Sequence, residues 1–419
     1  MSEAGDRGGD MTHRVQVMSG RDPHERHRVA TPLELLFDLT FVVGFGTAAS
    51  EFAHALTGDH IWTGLISFVF AVFAICWAWI NFTWFASAYD TDDWVYRVTT
   101  MVQMVGVVIL TLGIPDVFAS IEHGGHVDNA VLVAGYVVMR VGLVAQWLRA
   151  AAGDPLRRRA CLTYAISVSV VQIGWIAQIF AHTSLMVTLV WCGVLILLEI
   201  SVPVLAERQV GGTPWHAHHI TERYGLMAII ALGEGVVGTV ATLSAVVQEQ
   251  GWTVDAILVT VAGIGLTFGM WWVYFTVPTA DLLHAHREQS FWFGYLPIFL
   301  FGSIVATGAG LHVAAYYLEG HSKLGSVGTV FSVVIPVGLF VCLVFLIYST
   351  LVRQTDRFHL LLLVLTAGVL VGAVLLALAG VSMALCLLVA TAAPMVSVIG
   401  YELVGHRHMA AAMARRLVA

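Results

Sequence analysis

The feature that most limits this chain is the recurrence of apolar stretches of membrane length. They fall near 32–57, 61–88, 93–120, 127–152, 157–180 and 183–206, then near 220–248, 252–280, 287–318, 326–352, 356–379 and 380–403. Each reaches the roughly 20 residues that a helix needs to cross a bilayer. With 58% hydrophobic and only 11% charged residues in 419, an ordinary soluble domain is excluded. The predicted fold class is therefore an all-α polytopic membrane protein with about twelve transmembrane helices. The break at 378–382 rests on Ala379-Gly380-Val381-Ser382 alone. A net charge of −7 argues against a nucleic-acid partner and leaves the lipid bilayer as the expected one. Cys76, Cys161, Cys192, Cys342 and Cys386 stand singly in apolar runs without metal-ligand spacing, so they read as small core residues.

Residues 1–30 mix Arg7, Arg14, Arg21, Arg26 and Arg28 with acids, Gly and Ser, and read as a disordered cytoplasmic tail rather than a cleaved signal. A first membrane unit at 31–206, a cytoplasmic linker at 207–219, a second unit at 220–405 and a cytoplasmic tail at 406–419 follow. On a twelve-span chain with its N-terminus inside, every one of the 20 Lys and Arg except Lys323 and Arg140 falls at the inner face. The positive-inside rule thus predicts a multi-pass cell-membrane protein with both termini cytoplasmic.

Overlaying the halves at an offset of about 190 residues aligns Thr31-Pro32-Leu33-Glu34 with Ile220-Thr221-Glu222 and Trp79-Ile80-Asn81-Phe82-Thr83 with Trp272-Val273-Tyr274-Phe275-Thr276. Asp90 then falls near Asp281, and Arg157–Leu162 corresponds to Asp356–Leu361. Six spans per copy give both copies the same topology, which predicts two parallel six-helix repeats about an axis along the membrane normal. Spans one and seven would flank that axis.

Span one, Thr31–Gly46, opens with Thr31 as a cap, Pro32 in the first turn, and two carboxylates, Glu34 and Asp38, four residues apart and so on one face. Asp38 lies about 5–6 Å deeper than Glu34, at a level where a carboxylate facing lipid is costly. Span seven opens with Glu222-Arg223-Tyr224-Gly225 and places Glu234 about 18 Å further along, near mid-bilayer. Arg140 in span four has a similar depth, which predicts pairing with Glu234 or Asp38. Glu34, Asp38, Arg140, Glu222 and Glu234 are the candidate pathway residues. Each could instead hold helices together. Glu51, His54, Glu199 and His312 are secondary candidates. Asp90, Asp92 and Asp93 form an acidic cluster that either attracts cations or is a solvated loop. His24, His27, His216, His218, His219, His284 and His286 gather at the same face without ligand spacing, so no metal site is assigned. Trp62, Trp94, Trp215 and Trp252 read as interfacial anchors.

Pro32-Leu33-Glu34-Leu35-Leu36-Phe37-Asp38-Leu39 and, later, His218-His219-Ile220-Thr221-Glu222-Arg223-Tyr224-Gly225 with Ile230-Ala231-Leu232-Gly233-Glu234 resemble motifs of the bacterial low temperature requirement protein A family. Leu36 stands where a phenylalanine is common, and Gly235 where a serine often follows the glutamate. The resemblance covers nearly the whole chain after residue 30. It implies an architecture, while the family name records a growth phenotype and implies no chemistry.

Two copies of six spans with intramembrane acids favour a transporter or channel for a small solute, cation or proton, through an acid-lined cavity between the copies. A signalling or stress-adaptation scaffold is the alternative, and an intramembrane enzyme a more distant one. No P-loop, paired aspartates or Ser–His set at the right depth is present, so the chain is read as non-enzymatic and without a cofactor. Substrate and oligomeric state stay open.

Overall fold

In a computed structural model, residues 15–25, 28–124, 126–354 and 356–410 are described, and among them no strand occurs. Twelve helical segments are long and apolar enough to cross a membrane. Nine of them are single helices: α1 Pro32–Thr57, α2 Ile61–Tyr89, α5 Ala130–Gly153, α6 Arg158–Phe180, α7 Leu185–Glu207, α8 Ala217–Gln250, α11 Ser290–Leu318, α12 Ser326–Val352 and α13 Arg357–Leu378. The other three are broken: α3 Trp94–Leu112 with α4 Ile114–Glu122, α9 Val254–Phe275 with α10 Thr279–Ala285, and α14 Met383–Ala390 with α15 Ala392–Gly400.

The breaks have local causes. Pro115 and Pro278 lack a donor for the preceding turn and clash with its carbonyls, so each ends a helix just upstream. At Gly113, a Cβ would sit 2.3 Å from the backbone nitrogen of Leu132, so α5 packs on bare backbone there. Large side chains left on the outside, such as Leu39, Val43, Leu197 and Val364, face the lipid position that a soluble fold would have to cover.

Helix α11 is the most buried element, enclosed by α1, α2, α8 and α12. Gly302, Ser303, Thr307, Gly308 and Gly310 give it the small surface that close helix approach needs without a hydrophobic driving force in lipid. Spans one and seven do meet, as α1 against α8, and α11 is the third member of that contact. All three are odd-numbered crossings and run in the same direction.

The expectation of a disordered tail at 1–30 does not hold for its described part. Residues 15–25 and 28–31 lie against the face where α1 begins. Met18 is buried, the Arg21 amide donates to Ala88 O (3.0 Å) and the Arg28 guanidinium to Ala86 O (3.1 Å). These are last-turn carbonyls of α2, which have no partner inside their own helix. The segment docks through hydrogen bonds and the one buried apolar side chain, Met18, too little apolar area to show in its composition, which is why it read as disordered. Arg7, Arg14, Arg26, His27 and the end of the chain after 410 lie outside the described residues.

Candidate functional site

Helix α1 starts with a complete capping box: the Glu34 amide donates to Thr31 Oγ1 (3.3 Å), and the Thr31 amide donates to Glu34 Oε2 (2.7 Å), with Pro32 in the first turn. Glu34 is thereby aimed inward and fully buried. One turn on, Asp38 is also buried and meets Arg223 of α8 in a two-point contact, Nε to Oδ2 at 3.0 Å and Nη2 to Oδ1 at 2.5 Å. Arg223 Nη1 lies 3.0 Å from Glu34 Oε1, so one guanidinium bridges both acids. Trp79 of α2 donates its indole N–H to Asp38 Oδ1 (2.6 Å), and His219 Nε2 sits 3.1 Å from Glu34 Oε1. Planar guanidinium geometry suits this bidentate clamp, which a lysine could not reproduce.

Arg28 closes the cluster from the N-terminal segment, 3.4 Å from Asp90 and 3.9 Å from Glu34. Three carboxylates, Glu34, Asp38 and Asp90, thus face Arg28, Arg223 and His219, while Arg21, which also pairs with Glu25, lies 3.9 Å from Asp90. Asp90 lies just past the end of α2, where burial pushes its carboxyl up to about 6, reinforced by Glu34 and opposed by Arg28 and Arg21.

Several expectations are corrected here. Glu222 is exposed and makes none of these ion pairs; its neighbour Arg223 is the buried residue. Successive helix residues are about 100° apart, and the buried arc here takes in Arg223, Tyr224 and Gly225 and leaves Glu222 outside it. Arg223 and Glu234 are eleven residues, three turns, apart and share a face, whereas Glu222 does not. The signal was present in that periodicity. Arg140 pairs with neither Glu234 nor Asp38: its Nη2 meets Glu199 Oε2 at 2.8 Å. Glu199 also accepts from the indoles of Trp77 (2.9 Å) and Trp175 (3.3 Å). Trp77 and Trp79, two residues apart, lie on opposite sides of α2 and serve the two ion pairs separately. Asp90 and Asp93 are not a solvated patch. Asp93 caps α3 and binds Arg149, whose hydrogen bonds hold its carboxyl below the usual range against the raising effect of burial. Asp92 pairs with Arg97 at the surface. Trp62, Trp94 and Trp252 are exposed at helix starts, but Trp215 is buried against Trp84 and Arg287.

Glu234 stands apart from both ion pairs. It is 3% exposed, with no hydrogen bond or ion pair to any described residue. It occupies the seam of α1, α8 and α11. A Cβ on Gly46 would fall 3.1 Å from its Oε1, and one on Gly308 2.9 Å from its own Cβ. One turn further along α8, Gly238 faces His312 of α11, and Tyr316, another turn on, contacts His54 of α1 through its hydroxyl at 3.3 Å. Glu51 lies half-buried one turn before His54. The structure therefore strings Glu34, Arg223, Asp38, Glu234, His312 and His54 along a single three-helix seam from one face to the other.

Similarity to known proteins agrees with this architecture without naming a reaction. The chain is 24% identical over 296 residues to "Uncharacterized protein RA0937" of Rhizobium meliloti (strain 1021), covering 66% of this chain and 67% of that protein. No solved structure matches it. The family described as bacterial low temperature requirement A protein (LtrA) matches residues 29–394, most of the chain and both acid-bearing helices, and this multi-pass membrane protein belongs to that family.

Proposed function

We propose that the chain is a proton-coupled transporter or channel for a small solute or cation, working along the seam of α1, α8 and α11. The observation that carries the reading is Glu234, a mid-helix carboxyl buried among glycines with no partner among the described residues. An unpaired charge there costs several kcal/mol, a penalty that a proton removes. In this reading Glu234 exchanges that proton with the Glu34–Arg223–Asp38 cluster on one side and the His312–His54 pair on the other. Intramembrane ionisable groups in series are the usual materials of a proton relay.

Recurring neighbour relations support two six-helix copies. Span one packs on two and three, three on four and four on five; span seven likewise packs on eight and nine, nine on ten and ten on eleven. The seam lies where the two copies meet. The Lys and Arg bias supports a cytoplasmic position for the face holding Arg28, Arg149 and Arg353. In liposomes carrying a pH-sensitive dye, purified protein should move protons when a candidate ion or solute gradient is imposed, and Glu234→Gln should abolish that movement while keeping the fold. Equal flux in folded Glu234→Gln protein sinks the relay; absence of any flux in the wild type favours a scaffold.

A further inference from the structure

A cavity lies away from the seam, near the face where α1 begins, between α2, α5, α6, α7 and α11. Its empty space, open solvent at the mouth included, is about 490 Å³. Seven aromatic side chains line it: Phe291, and six more, Trp77, Trp84, Trp147, Tyr164, Trp215 and Tyr295, that come as three contacting pairs. Trp147 stacks on Tyr164 at 4.2 Å and 5°, Trp84 meets Trp215 edge-on at 5.1 Å, and Trp77 meets Tyr295 at 5.5 Å. Three of them have their polar atoms engaged elsewhere: Trp77 donates to Glu199, Trp84 to the Tyr224 hydroxyl, Tyr295 to Ile200 O, and these bonds fix those three rings.

One acid, Glu207, completes the lining. It accepts from the Tyr164 hydroxyl (2.9 Å), the Thr213 amide (2.9 Å) and the Thr213 hydroxyl (2.6 Å); no described cation lies within ion-pair distance of it, and the Arg287 charge acts on it from farther off. The Arg287 guanidinium lies 3.8 Å from the centre of the Trp215 ring, so one of these rings already holds a cation on its face. Aromatic faces around a carboxylate are the chemistry that recognises methylated ammonium groups, because such a cation sheds water easily and gains from the ring quadrupoles. A purely apolar guest would have no use for Glu207.

We propose that this cavity binds a small methylated ammonium group, either a free choline-type cation or a lipid headgroup. The test uses the full chain in nanodiscs of phosphatidylglycerol, following tryptophan fluorescence at matched ionic strength. Choline chloride should give a saturable change, and its uncharged isostere 3,3-dimethyl-1-butanol one at least about tenfold weaker. Glu207→Gln should weaken choline about tenfold or more and leave the alcohol unchanged. In phosphatidylcholine discs, loss of the choline response assigns the site to the headgroup, and its persistence to the free cation. Equal affinity for choline and the alcohol, or no saturable change in the wild type, overturns the proposal. Those two comparisons need no variant, so they decide even if Glu207→Gln does not fold.

Discussion

Replacing Arg223 with methionine keeps most of the side-chain volume and removes the one group among the described residues that bridges Glu34 and Asp38. Both acids are essentially unexposed, and Arg223 is wholly buried. Removing one partner of a buried ion pair costs about 3–5 kcal/mol, because the survivor remains desolvated. Trp79 still donates to Asp38 and His219 still faces Glu34, which places the expected loss nearer the lower end. At the usual unfolding entropy per residue, a chain of this size shifts by about 1 °C per kcal/mol, so Arg223→Met should lower Tm in detergent by roughly 3–5 °C. The cause is tested by a double-mutant cycle. Asp38→Asn alone leaves a buried guanidinium with less countercharge and should also destabilise. The double variant should lose about 1–3 kcal/mol less than the two singles together, since contacting residues couple by that much. Additive losses, or a Tm within error of the wild type for Arg223→Met, would refute the view that this cluster ties α1 to α8.

Arg140→Met with Glu199→Gln should show the same non-additivity, whereas Arg140→Met with Glu234→Gln should be additive within about 0.5 kcal/mol, as for sites sharing no partner; the reverse pattern in thermal unfolding would contradict the observed pairing. Asp90 is raised to about 6 when folded, from an unfolded value near 3.8, so its stabilisation is complete below pH 4 and lost as pH rises through 6. The difference is about 3 kcal/mol, and Asp90→Asn should flatten the Tm profile between pH 4 and 7; parallel profiles would contradict this. A Cβ on Gly153 would lie 2.4 Å from Met18 O, so Gly153→Leu should lift the N-terminal segment and speed tryptic cleavage after Arg21, while an unchanged rate would mean that the segment is not held there. A reporter fused after Arg159 should read as cytoplasmic, and an external signal would reverse the orientation.

The sequence by itself determined the quantities that depend on one helix at a time. Hydropathic length set the twelve spans, and Thr31, Pro32 and Glu34 set where α1 begins. The depth of Asp38 and Glu234 marked them as buried acids, and both are. Four cysteines read as core residues are buried, while Cys342 faces outward. Tertiary structure decided everything that depends on rotation and neighbours. Glu222 and Arg223 are adjacent in sequence, and the packing of α8 against α1 and α11 turned Arg223 inward and Glu222 out. Depth alone gave Arg140 several possible partners, and the packing of α5, α6 and α7 around α2 supplied Glu199. The N-terminal segment has little apolar area beyond Met18, so it is held by bonds to the end of α2 and to Asp93, Arg149 and His216, partners that come together only when the helices pack. Burial along a chain can be read from hydropathy because it is a property of length and composition. Which buried charge meets which is set by helix phase and crossing, and those are fixed only when the helices pack.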